Sequence, residues 1–415
     1  MITGKEKFKC GLMGEKLSHS FSPQIHRHLA DYGYSLFEMP ENEVEGFLKS
    51  RKFDATNVTI PYKKTVMPYL DEISDNARRI GSVNTITRTE KGLHGDNTDY
   101  YGFSYMVKKS RIEIKGRKVL ILGTGGASLT ANTVCSDMGA VEVVHVSRAG
   151  EINYGNVYEK CGDFEVVVNC TPVGMYPKNL ISPIDLEKLK NCIGVIDMIY
   201  NPAKTQLLLD AERLNIPYIN GLSMLVAQAK RACELFVDEA IDDGEIDRIT
   251  DAIHKETSNI ILVGMPGCGK STVGQILAKE CGREMIDTDE MITKSQCRTP
   301  AEIITGDGEE KFRQIEHIQV AEAGKMSGKI ISTGGGVVTR RENFDALRQN
   351  GMIFFINRPL DALATDGRPL SKQTKLSKMY EKRLPLYRGI CDAEVRNDST
   401  PEKCAEEILN IFKGR

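Results

Sequence analysis

The chain has 415 residues, too many for one ordinary hydrophobic core, so its length predicts two or three domains. Hydrophobic residues make up 40 % and charged residues 27 %, a balance typical of globular proteins. Proteins that bind nucleic acid or an anionic membrane are usually strongly basic, whereas the formal net charge of this chain is -2. We therefore expect neither as a partner. No apolar run reaches the roughly 18 residues that a membrane helix needs.

The cysteines and the N-terminal residues favour a reducing, cytoplasmic location. The 11 cysteines are odd in number, are scattered and form no C-x-x-C pair, which argues against a disulfide framework or a zinc site. Residues 1–10 are polar and lack the apolar core of a signal peptide. We therefore expect a cytoplasmic protein, and the sequence leaves its oligomeric state open.

The first hundred residues alternate strand-like runs with helical ones and contain no dinucleotide turn. Strands are predicted over residues 8–13 and 55–60, and Pro23 is expected to open a helix. Farther on, two glycine-rich turns each follow a short apolar run and precede a helical pattern. That order is the layout of a phosphate site in an open α/β sheet.

Between the two halves, the amphipathic segment 234–258 is predicted to form the last helices of the first half. Together these features predict an α/β protein with two lobes, a cleft between the lobes, and a separate C-terminal domain. The expected boundaries are 1–105 for the first lobe, completed by helices of 222–254, then 106–221 for the second lobe, 255–258 for a linker and 259–415 for the last domain.

The first glycine turn follows the apolar run Lys118–Leu122. Gly123 permits a tight turn, while Gly125 and Gly126 let the backbone approach a pyrophosphate whose charge the next helix N-terminus stabilises. By itself this motif is weak, because glycine-rich turns also occur where no ligand binds.

The end of the next predicted strand, residues 141–146, indicates which dinucleotide binds. An NAD enzyme carries Asp or Glu about 20 residues beyond the turn to bind the ribose 2′-hydroxyl. This chain has Ser147 and Arg148 instead, and a guanidinium would pair with a 2′-phosphate. The sequence therefore favours NADP over NAD; the alternative is that Arg148 is a solvated loop charge.

Seven polar clusters surround the first glycine turn in sequence, and each alone is typical of a turn or a helix cap. They are Ser20–Pro23, Asn57–Lys63, Val83–Thr85, Asn97–Gly102, Asn169–Met175, Asp197–Pro202 and Gly221–Gln228. Together and in this order they resemble the shikimate dehydrogenase family over residues 8–235. The lead-in Gly14–Leu17 departs from the family's small, proline-containing pattern.

The resemblance implies a two-lobed dehydrogenase with a Rossmann-type NADP lobe, in which Lys63 and Asp99 are the catalytic pair. Lys63 would exchange a proton with the oxygen on C3 of dehydroshikimate, and Asp99 would orient it or share the proton. The neighbouring Lys64 would face the other way in an extended backbone. The other implied ligands are Ser20, Ser22, Thr59, Asn84 and Gln228 for the substrate, and Gly123, Gly125, Gly126, Ala127, Ser147, Arg148, Thr171, Met198, Tyr200 and Gly221 for NADP.

The second glycine turn, Gly264–Ser271, is a complete Walker A motif after the apolar run Asn259–Val263. Its backbone N–H groups cradle phosphates, Lys270 reaches the β- and γ-oxygens, and the Ser271 hydroxyl binds Mg²⁺. The motif predicts ATP and Mg²⁺ but does not name the phosphate acceptor. The residues expected at ATP are Gly264, Gly267, Gly269, Lys270, Ser271 and Thr272.

Five later clusters have ordinary structural explanations one by one: an N-cap, a surface ion pair, a tight turn or a basic loop. They are Asp287–Asp289 after a predicted strand at 284–286, Phe312–Glu316, Ser332–Gly336, Gly367–Leu370 and Arg383–Tyr387. As an ordered set they resemble shikimate kinase over residues 259–412, which implies a P-loop, nucleoside-monophosphate-kinase-like α/β domain.

That second resemblance implies that Asp289 positions and deprotonates the shikimate hydroxyl. It also implies that Arg313 and Arg383 clamp the carboxylate near Gly335 and Gly336. The same resemblance places Asp287 in the Mg²⁺ shell and Arg368 in a lid over the transferred phosphoryl group. Residues 363–367 lack the arginine that many family members present to adenine, and we expect thiol modification of Cys268 in the P-loop to block ATP.

The leading hypothesis is a bifunctional enzyme of chorismate biosynthesis: NADPH reduces 3-dehydroshikimate to shikimate, and ATP then phosphorylates shikimate. Within the enzyme class, the first half could use quinate or NAD, and the second could phosphorylate a nucleoside monophosphate. A nucleotide kinase has no need for the Arg313 and Arg383 pair. In another class, one half could be a non-catalytic ligand-binding module; the presence of Lys63, Asp99, Lys270 and Asp289 argues against that.

Overall fold

The computed structural model describes residues 8–17, 20–360, 362–363 and 370–414, with the backbone alone over 370–375. The described residues form two compact units. The N-terminal unit comprises the residues up to Val173 together with Ser182–Tyr200 and Asp210–Ala252. The C-terminal unit comprises Gly174–Ile181, Asn201–Leu209 and the residues from Ile253 onward.

A mixed six-stranded sheet opens the N-terminal unit, in the order β2-β1-β3-β5-β6-β4. Its strands are β1 (Cys10–Gly14), β2 (Tyr34–Glu38), β3 (Ala55–Val58), β4 (Glu72–Ile73), β5 (Thr85–Thr89) and β6 (Gly92–Asp96), and its helices are α1 (Ser22–Leu29), α2 (Glu41–Ser50) and α3 (Asp75–Ile80). β1 lies between β2 and β3 and is buried, and a Cβ at its Gly11 would lie 2.1 Å from the Ser35 carbonyl oxygen of β2. This glycine lets β1 and β2 pair.

A five-stranded parallel sheet follows, in the order β11-β10-β9-β7-β8. Its strands are β7 (Lys118–Leu122), β8 (Glu142–Val146), β9 (Val166–Asn169), β10 (Gly194–Asp197) and β11 (Tyr218–Ile219). The helices along this part of the chain are α4 (Asp99–Ser110), α5 (Gly126–Asp137), α6 (Val157–Cys161), α7 (Gln206–Arg213), α8 (Leu222–Val237) and α9 (Gly244–Thr257). β7 lies between β9 and β8, and its residues 119–122 are completely buried, as expected of an interior parallel strand covered on both faces.

The C-terminal unit contains a second five-stranded parallel sheet, in the order β13-β14-β12-β15-β16. Its strands are β12 (Asn259–Val263), β13 (Met285–Asp287), β14 (Ile330–Ser332), β15 (Gly351–Asn357) and β16 (Ala393–Arg396). The helices are α10 (Lys270–Cys281), α11 (Thr288–Gln296), α12 (Pro300–Asp307), α13 (Glu309–Gly324), α14 (Arg341–Arg348), α15 (Leu370–Ile390) and α16 (Pro401–Gly414). In the part of the chain that the structure describes, no helix is long and apolar enough to cross a membrane.

These sheets confirm the predicted α/β class, and the strands that precede the two glycine turns have the predicted bounds. Residues 255–257, expected in a linker, form the last turn of α9, and Ser258 alone separates that helix from β12. A helix can run that far because His254 and Lys255 lie in its last turn, where positive charge favours the helix dipole.

Two candidate active sites

The N-terminal unit contains a cavity of about 550 Å³. It is lined by Leu12, Lys16, Leu17, Ser20, Ser22, Asn57, Val58, Thr59, Ile60, Lys63, Asn84, Asp99, Ala127, Met198, Tyr200, Gly221, Met224, Leu225 and Gln228. Every residue predicted to bind the dehydrogenase substrate is among them. Four of the residues predicted to bind NADP also line the cavity: Ala127, Met198, Tyr200 and Gly221. The cavity therefore brings together residues as far apart in the sequence as Leu12 and Gln228.

The cavity holds a close lysine–carboxylate pair. The Lys63 Nζ donates to the Asp99 Oδ2 at 2.5 Å, and the two side chains are only 24 % and 13 % exposed. Asp99 is the first residue of α4, and Lys63 lies in a turn after β3. Lys64 is exposed and does not line the cavity. The extended backbone expected at Lys64 was wrong, because the chain turns over residues 60–66.

The carboxylate of this pair is held on its other side as well. The Asn84 side-chain amide donates to the Asp99 Oδ1 at 2.9 Å, while the Asn84 Oδ1 accepts from the Thr98 backbone N–H at 2.7 Å. Asn84 also lies 3.4 Å from the Gln228 Oε1. Both oxygens of Asp99 are thus fixed, so the carboxylate is positioned to orient the lysine rather than to move itself.

Asn57 is a cavity residue to which the sequence alone gave no role, although it begins a quoted motif. It is buried, its Oδ1 accepts from the Tyr34 hydroxyl at 2.7 Å, and its amide donates to the Thr85 hydroxyl at 3.2 Å. Asn57 lies in a buried strand and begins the motif that ends at Lys63, and this position was the available sign of a role in the cavity. Its bonds stiffen the floor of the cavity.

The first glycine turn fits a dinucleotide. Gly123 has φ +107°, and α5 begins at Gly126. A Cβ at Gly125 or Gly126 would meet no atom within 4 Å, so open space lies over the turn where a pyrophosphate could approach the helix N-terminus. Thr171 lies beside this turn, since a Cβ at Gly123 would be 3.2 Å from its methyl group.

The remaining dinucleotide residues lie farther along the same sheet edge. A Cβ at Gly221 would lie 2.1 Å from the Met198 carbonyl oxygen, so only glycine allows this approach. Ser147 and Arg148 follow β8 directly, and Arg148 is exposed. Ser147 and Arg148 are not among the residues that line the cavity, whereas Met198 and Gly221 are.

The P-loop of the C-terminal unit joins β12 to α10, as predicted. Gly264, Gly267 and Gly269 all have positive φ, which explains the need for glycine there. The buried Lys270 Nζ donates to the carbonyl oxygens of Gly264 and Met265 at 3.0 and 3.1 Å. Beside it, the exposed Thr272 continues the helix.

The residues at the end of β13 fit a magnesium ion. The Ser271 hydroxyl donates to the Asp287 Oδ2 at 3.2 Å, and the Asp287 Oδ1 accepts from the Asp289 backbone N–H at 2.9 Å. A hydroxyl and a carboxylate are hard oxygen ligands of the kind Mg²⁺ prefers, with phosphate oxygens filling other positions. The described residues contain no group of three or more His, Cys, Asp or Glu that could hold a metal ion.

The carboxylates of the partly buried Asp289 and the buried Glu316 face the loop that follows β14. A Cβ at Gly334 would lie 2.9 Å from the Asp289 Oδ1 and 3.0 Å from the Glu316 Oε1, and neither oxygen has a hydrogen-bond partner. Burial raises the pKa of Asp289, and the charge of Asp287 adds to the effect, while Lys270 and Arg313 oppose it. Burial likewise raises the pKa of Glu316 against the pull of Arg313.

The two predicted carboxylate-clamping arginines reach the same glycine loop. The Arg313 Nη1 donates to the Glu316 Oε2 at 2.8 Å and lies so near Gly336 that a Cβ there would be 2.0 Å away. The Arg383 Nη1 donates to the Gly335 carbonyl at 3.0 Å. Because the Arg313 and Glu316 side chains are 11 % and 1 % exposed, their ion pair is not a surface one.

Glu316 and Tyr387 belong to quoted motifs, but the sequence indicated no role for either. The Tyr387 hydroxyl donates to the Gly335 carbonyl at 2.5 Å, so it shares that acceptor with Arg383. Cys268 is completely buried, and burial raises the pKa of its thiol, so the thiol is less reactive than an exposed one; the effect of its modification on ATP stays a prediction. Arg368 and its lid lie outside the described residues.

The fold and these two sites define an oxidoreductase of the nicotinamide-dinucleotide class joined to a P-loop phosphotransferase. Residues 12–86 match the family model of the shikimate dehydrogenase substrate binding domain, and residues 266–413 match that of shikimate kinase. The chain belongs to the shikimate dehydrogenase family and carries a shikimate kinase domain in its C-terminal part.

Individual relatives agree with this assignment for the dehydrogenase part. A shikimate dehydrogenase (NADP(+)) of Clostridium beijerinckii is 38 % identical over 251 residues, 56 % of this chain and 93 % of the relative. A chorismate mutase/shikimate 5-dehydrogenase fusion protein from Clostridium acetobutylicum is similar with TM-score 0.57 and 37 % identity, covering 59 % of this chain and 97 % of that one. A quinate dehydrogenase from Corynebacterium glutamicum in complex with NAD, at 24 % identity and TM-score 0.54 over 60 % of this chain and 99 % of that one, shares the fold.

Proposed function

We propose that the N-terminal unit reduces 3-dehydroshikimate to shikimate with NADPH and that the C-terminal unit phosphorylates shikimate to shikimate 3-phosphate with ATP and Mg²⁺. The observation that carries the proposal is the Lys63–Asp99 pair at 2.5 Å inside a cavity that also contains the predicted hydroxyl and amide ligands. Family membership supports both substrates.

In the reduction, bound NADPH supplies the hydride that reaches the carbonyl carbon at C3. The carbonyl oxygen then gains negative charge, and the Lys63 ammonium donates a proton to it. Asp99 holds the ammonium in place through Oδ2, while Asn84 holds Asp99 through Oδ1. The hydroxyls of Ser20, Ser22 and Thr59 and the amide of Gln228 line the cavity and would bind the ring substituents.

In the phosphorylation, Asp289 accepts the proton of the shikimate 3-hydroxyl as the oxygen attacks the γ-phosphorus of ATP; the bond from that phosphorus to the β–γ bridging oxygen breaks, and ADP leaves. Its raised pKa suits a general base, and its Oδ1 has no protein partner to displace. Lys270 and, when bound, Mg²⁺ stabilise the charge of the transferred group, with Ser271 and Asp287 as the proposed metal ligands. Arg313 and Arg383 clamp the carboxylate, and Arg368 is proposed to act from the lid.

NADPH is the proposed reductant because Arg148 follows β8 where an NAD enzyme carries an acid. Quinate and NADH remain the alternatives within the class. A nucleoside monophosphate is disfavoured as phosphate acceptor, since two arginines meet at the glycine loop beside Asp289.

The test is a two-stage assay with the purified full chain. 3-Dehydroshikimate and NADPH are added first, and NADPH oxidation is followed by absorbance; ATP and Mg²⁺ are added next, and shikimate-dependent ADP is measured. Parallel reactions use NADH, quinate and nucleoside monophosphates. Absence of NADPH oxidation would overturn the redox half, and absence of shikimate-dependent ADP would overturn the kinase half.

A further inference from the structure

The charges that line the cavity of the N-terminal unit do not balance. Among its described lining residues only Lys16, Lys63 and Asp99 carry formal charge. Lys63 and Asp99 form an ion pair at 2.5 Å and cancel each other. Lys16 forms no ion pair and no hydrogen bond with the part of the chain that the structure describes, so it leaves the lining with one uncompensated positive charge.

Lys16 lies on an anchored loop between β1 and α1. Its neighbour Leu17 is 2 % exposed, and the Leu17 backbone N–H donates to the Glu38 Oε1 at 2.5 Å. Among the described residues Glu38 forms no ion pair with Lys16, and the Lys16 side chain is exposed and lines the cavity. The same loop carries Ser20, and Ser22 opens α1.

The proposed substrate is a carboxylate anion at neutral pH. Ser20 and Ser22 can donate hydrogen bonds to a carboxylate, but they bring no charge, and an anion that leaves water needs a compensating cation. Lys63 is already compensated by Asp99. We propose that Lys16 binds the substrate carboxylate beside these serines and makes the redox site select an acid over its neutral analogues.

This inference rests on the proposed function and adds a binding residue in the loop that departs from the family pattern. Since Lys16 is exposed and unpaired, its charge also attracts the anionic substrate before contact, and added salt weakens that attraction. The two roles predict one signature: loss of Lys16 weakens binding of the acid and leaves hydride transfer intact.

The variant Lys16→Met keeps the apolar stem and removes the charge. We expect the KM for 3-dehydroshikimate and the Kd for shikimate to rise roughly 10- to 100-fold, the range for a lost hydrogen bond to a charged group. The kcat and the KM for NADPH should change less than about twofold, because the interaction is equal in ground and transition states. Lys16→Arg should restore binding, and Lys52→Met, at an exposed lysine off the cavity, is the matched control.

The methyl ester of shikimate separates charge from shape. The wild-type chain should prefer shikimate to the ester, and Lys16→Met should lose most of that preference. Equal weakening of acid and ester would overturn the proposal in favour of a loop that merely shapes the cavity. A rise in the KM for NADPH instead would overturn it in favour of a cofactor contact.

The C-terminal unit is also proposed to bind shikimate, so the calorimetric titration compares Lys16→Met with the Lys16 chain in proteins that both carry Arg383→Met, which weakens the proposed kinase site. The remaining binding of shikimate reports the redox site and keeps this test distinct from the test of the proposed function. If the wild-type chain binds shikimate without reducing 3-dehydroshikimate, the redox proposal fails while Lys16 is still tested by the change in Kd. If the wild-type chain reduces 3-dehydroshikimate and Lys16→Met binds shikimate as tightly as wild type, Lys16 has no role in the carboxylate site. Circular dichroism of each variant verifies folding.

Discussion

Asp99 and Asp289 both lie at the start of a helix, yet their surroundings prepare them for different work. Asp99 has one oxygen bonded to Lys63 and the other to Asn84. Asp289 has a buried Oδ1 with no partner, and its pKa is raised by that burial. A carboxylate held on both sides is suited to orienting a lysine, whereas one with an open oxygen and a raised pKa is suited to accepting a proton.

Tyr387 allows a prediction about a residue that touches no proposed substrate atom. Its hydroxyl and Arg383 share the Gly335 carbonyl, and its buried ring stacks on Phe355 with centroids 4.8 Å apart. Tyr387→Phe keeps the ring and removes one of the two hydrogen bonds that the Gly335 carbonyl accepts. We expect the KM of the kinase for shikimate to rise roughly 3- to 10-fold, the worth of one neutral hydrogen bond, with the KM for ATP unchanged.

Steady-state kinetics with each substrate varied in turn provide the measurement. Tyr380→Phe is the matched control, because the Tyr380 hydroxyl donates to the Asn357 side chain at 3.1 Å and not to the glycine loop. A Tyr387→Phe variant in which both KM values rise together would contradict a role in positioning the acceptor site.

At the scale of elements, strands with a continuous apolar run could be predicted to the residue. β7 and β12 are interior strands, are buried and are each followed by a glycine turn, so periodicity and turn chemistry agree there. β8 was predicted from Val141, but that residue is 67 % exposed and the strand begins at Glu142. Hydrophobicity alone does not say whether a terminal valine is covered.

Other features depend on pairing partners that no local pattern reveals. The antiparallel pairing of β3 with β5 joins segments about thirty residues apart in the sequence. The significance of Lys16 likewise appears only once Lys63 and Asp99 are seen to cancel each other. Motifs therefore predicted which residue types the sites use, and the structure was needed to find which charges remain free.

Helix α1 supports a prediction about acid stability. Its His26 is 1 % exposed, stacks on Tyr34 with centroids 4.0 Å apart, and has its Nδ1 2.6 Å from the Tyr32 hydroxyl. Burial lowers the pKa of His26 from 6.5 to about 3. The folded state thus excludes a proton that the unfolded chain accepts, so stability is full above about pH 6.5 and falls as pH drops toward 3.

Between about pH 7.5 and about pH 5, this group alone should cost the folded state about 2 kcal/mol. Hydrogen exchange of peptides that cover α1 measures its opening free energy at both pH values. His26→Gln should lose that part of the pH dependence, and His28→Gln, on the same helix but partly exposed, is the control. An unchanged pH slope in His26→Gln would show that another group is responsible.

At the scale of the whole molecule, the proposed machinery of each reaction lies within one unit. The residues that line the dehydrogenase cavity fall in the N-terminal unit, and those around the P-loop and the glycine loop fall in the C-terminal unit. Shikimate is the product of the first proposed reaction and the acceptor of the second. We therefore expect the two activities to be separable by mutation.

Lys63→Ala removes the proton donor and should lower the redox rate roughly 100- to 10,000-fold, while phosphorylation of added shikimate stays at the wild-type rate. Lys270→Ala removes a charge that stabilises the transferred phosphoryl group and should lower kinase activity roughly 100- to 1,000-fold, with the redox rate unchanged. Each rate is measured separately on both variants, and circular dichroism verifies folding. A folded variant that lost both activities would contradict separate machinery.

A mixture of the two variants tests whether shikimate passes between the two sites through solvent. In the mixture, the Lys270→Ala chain retains only the redox activity, and the Lys63→Ala chain retains only the kinase activity. If shikimate exchanges through solvent, the Lys270→Ala chain releases it and the Lys63→Ala chain phosphorylates it. The mixture should then convert 3-dehydroshikimate to shikimate 3-phosphate at the same steady rate as the wild-type chain at matched active-site concentrations. Direct transfer within one chain predicts a lag and a lower rate in the mixture, so the time course of shikimate 3-phosphate formation distinguishes the two modes.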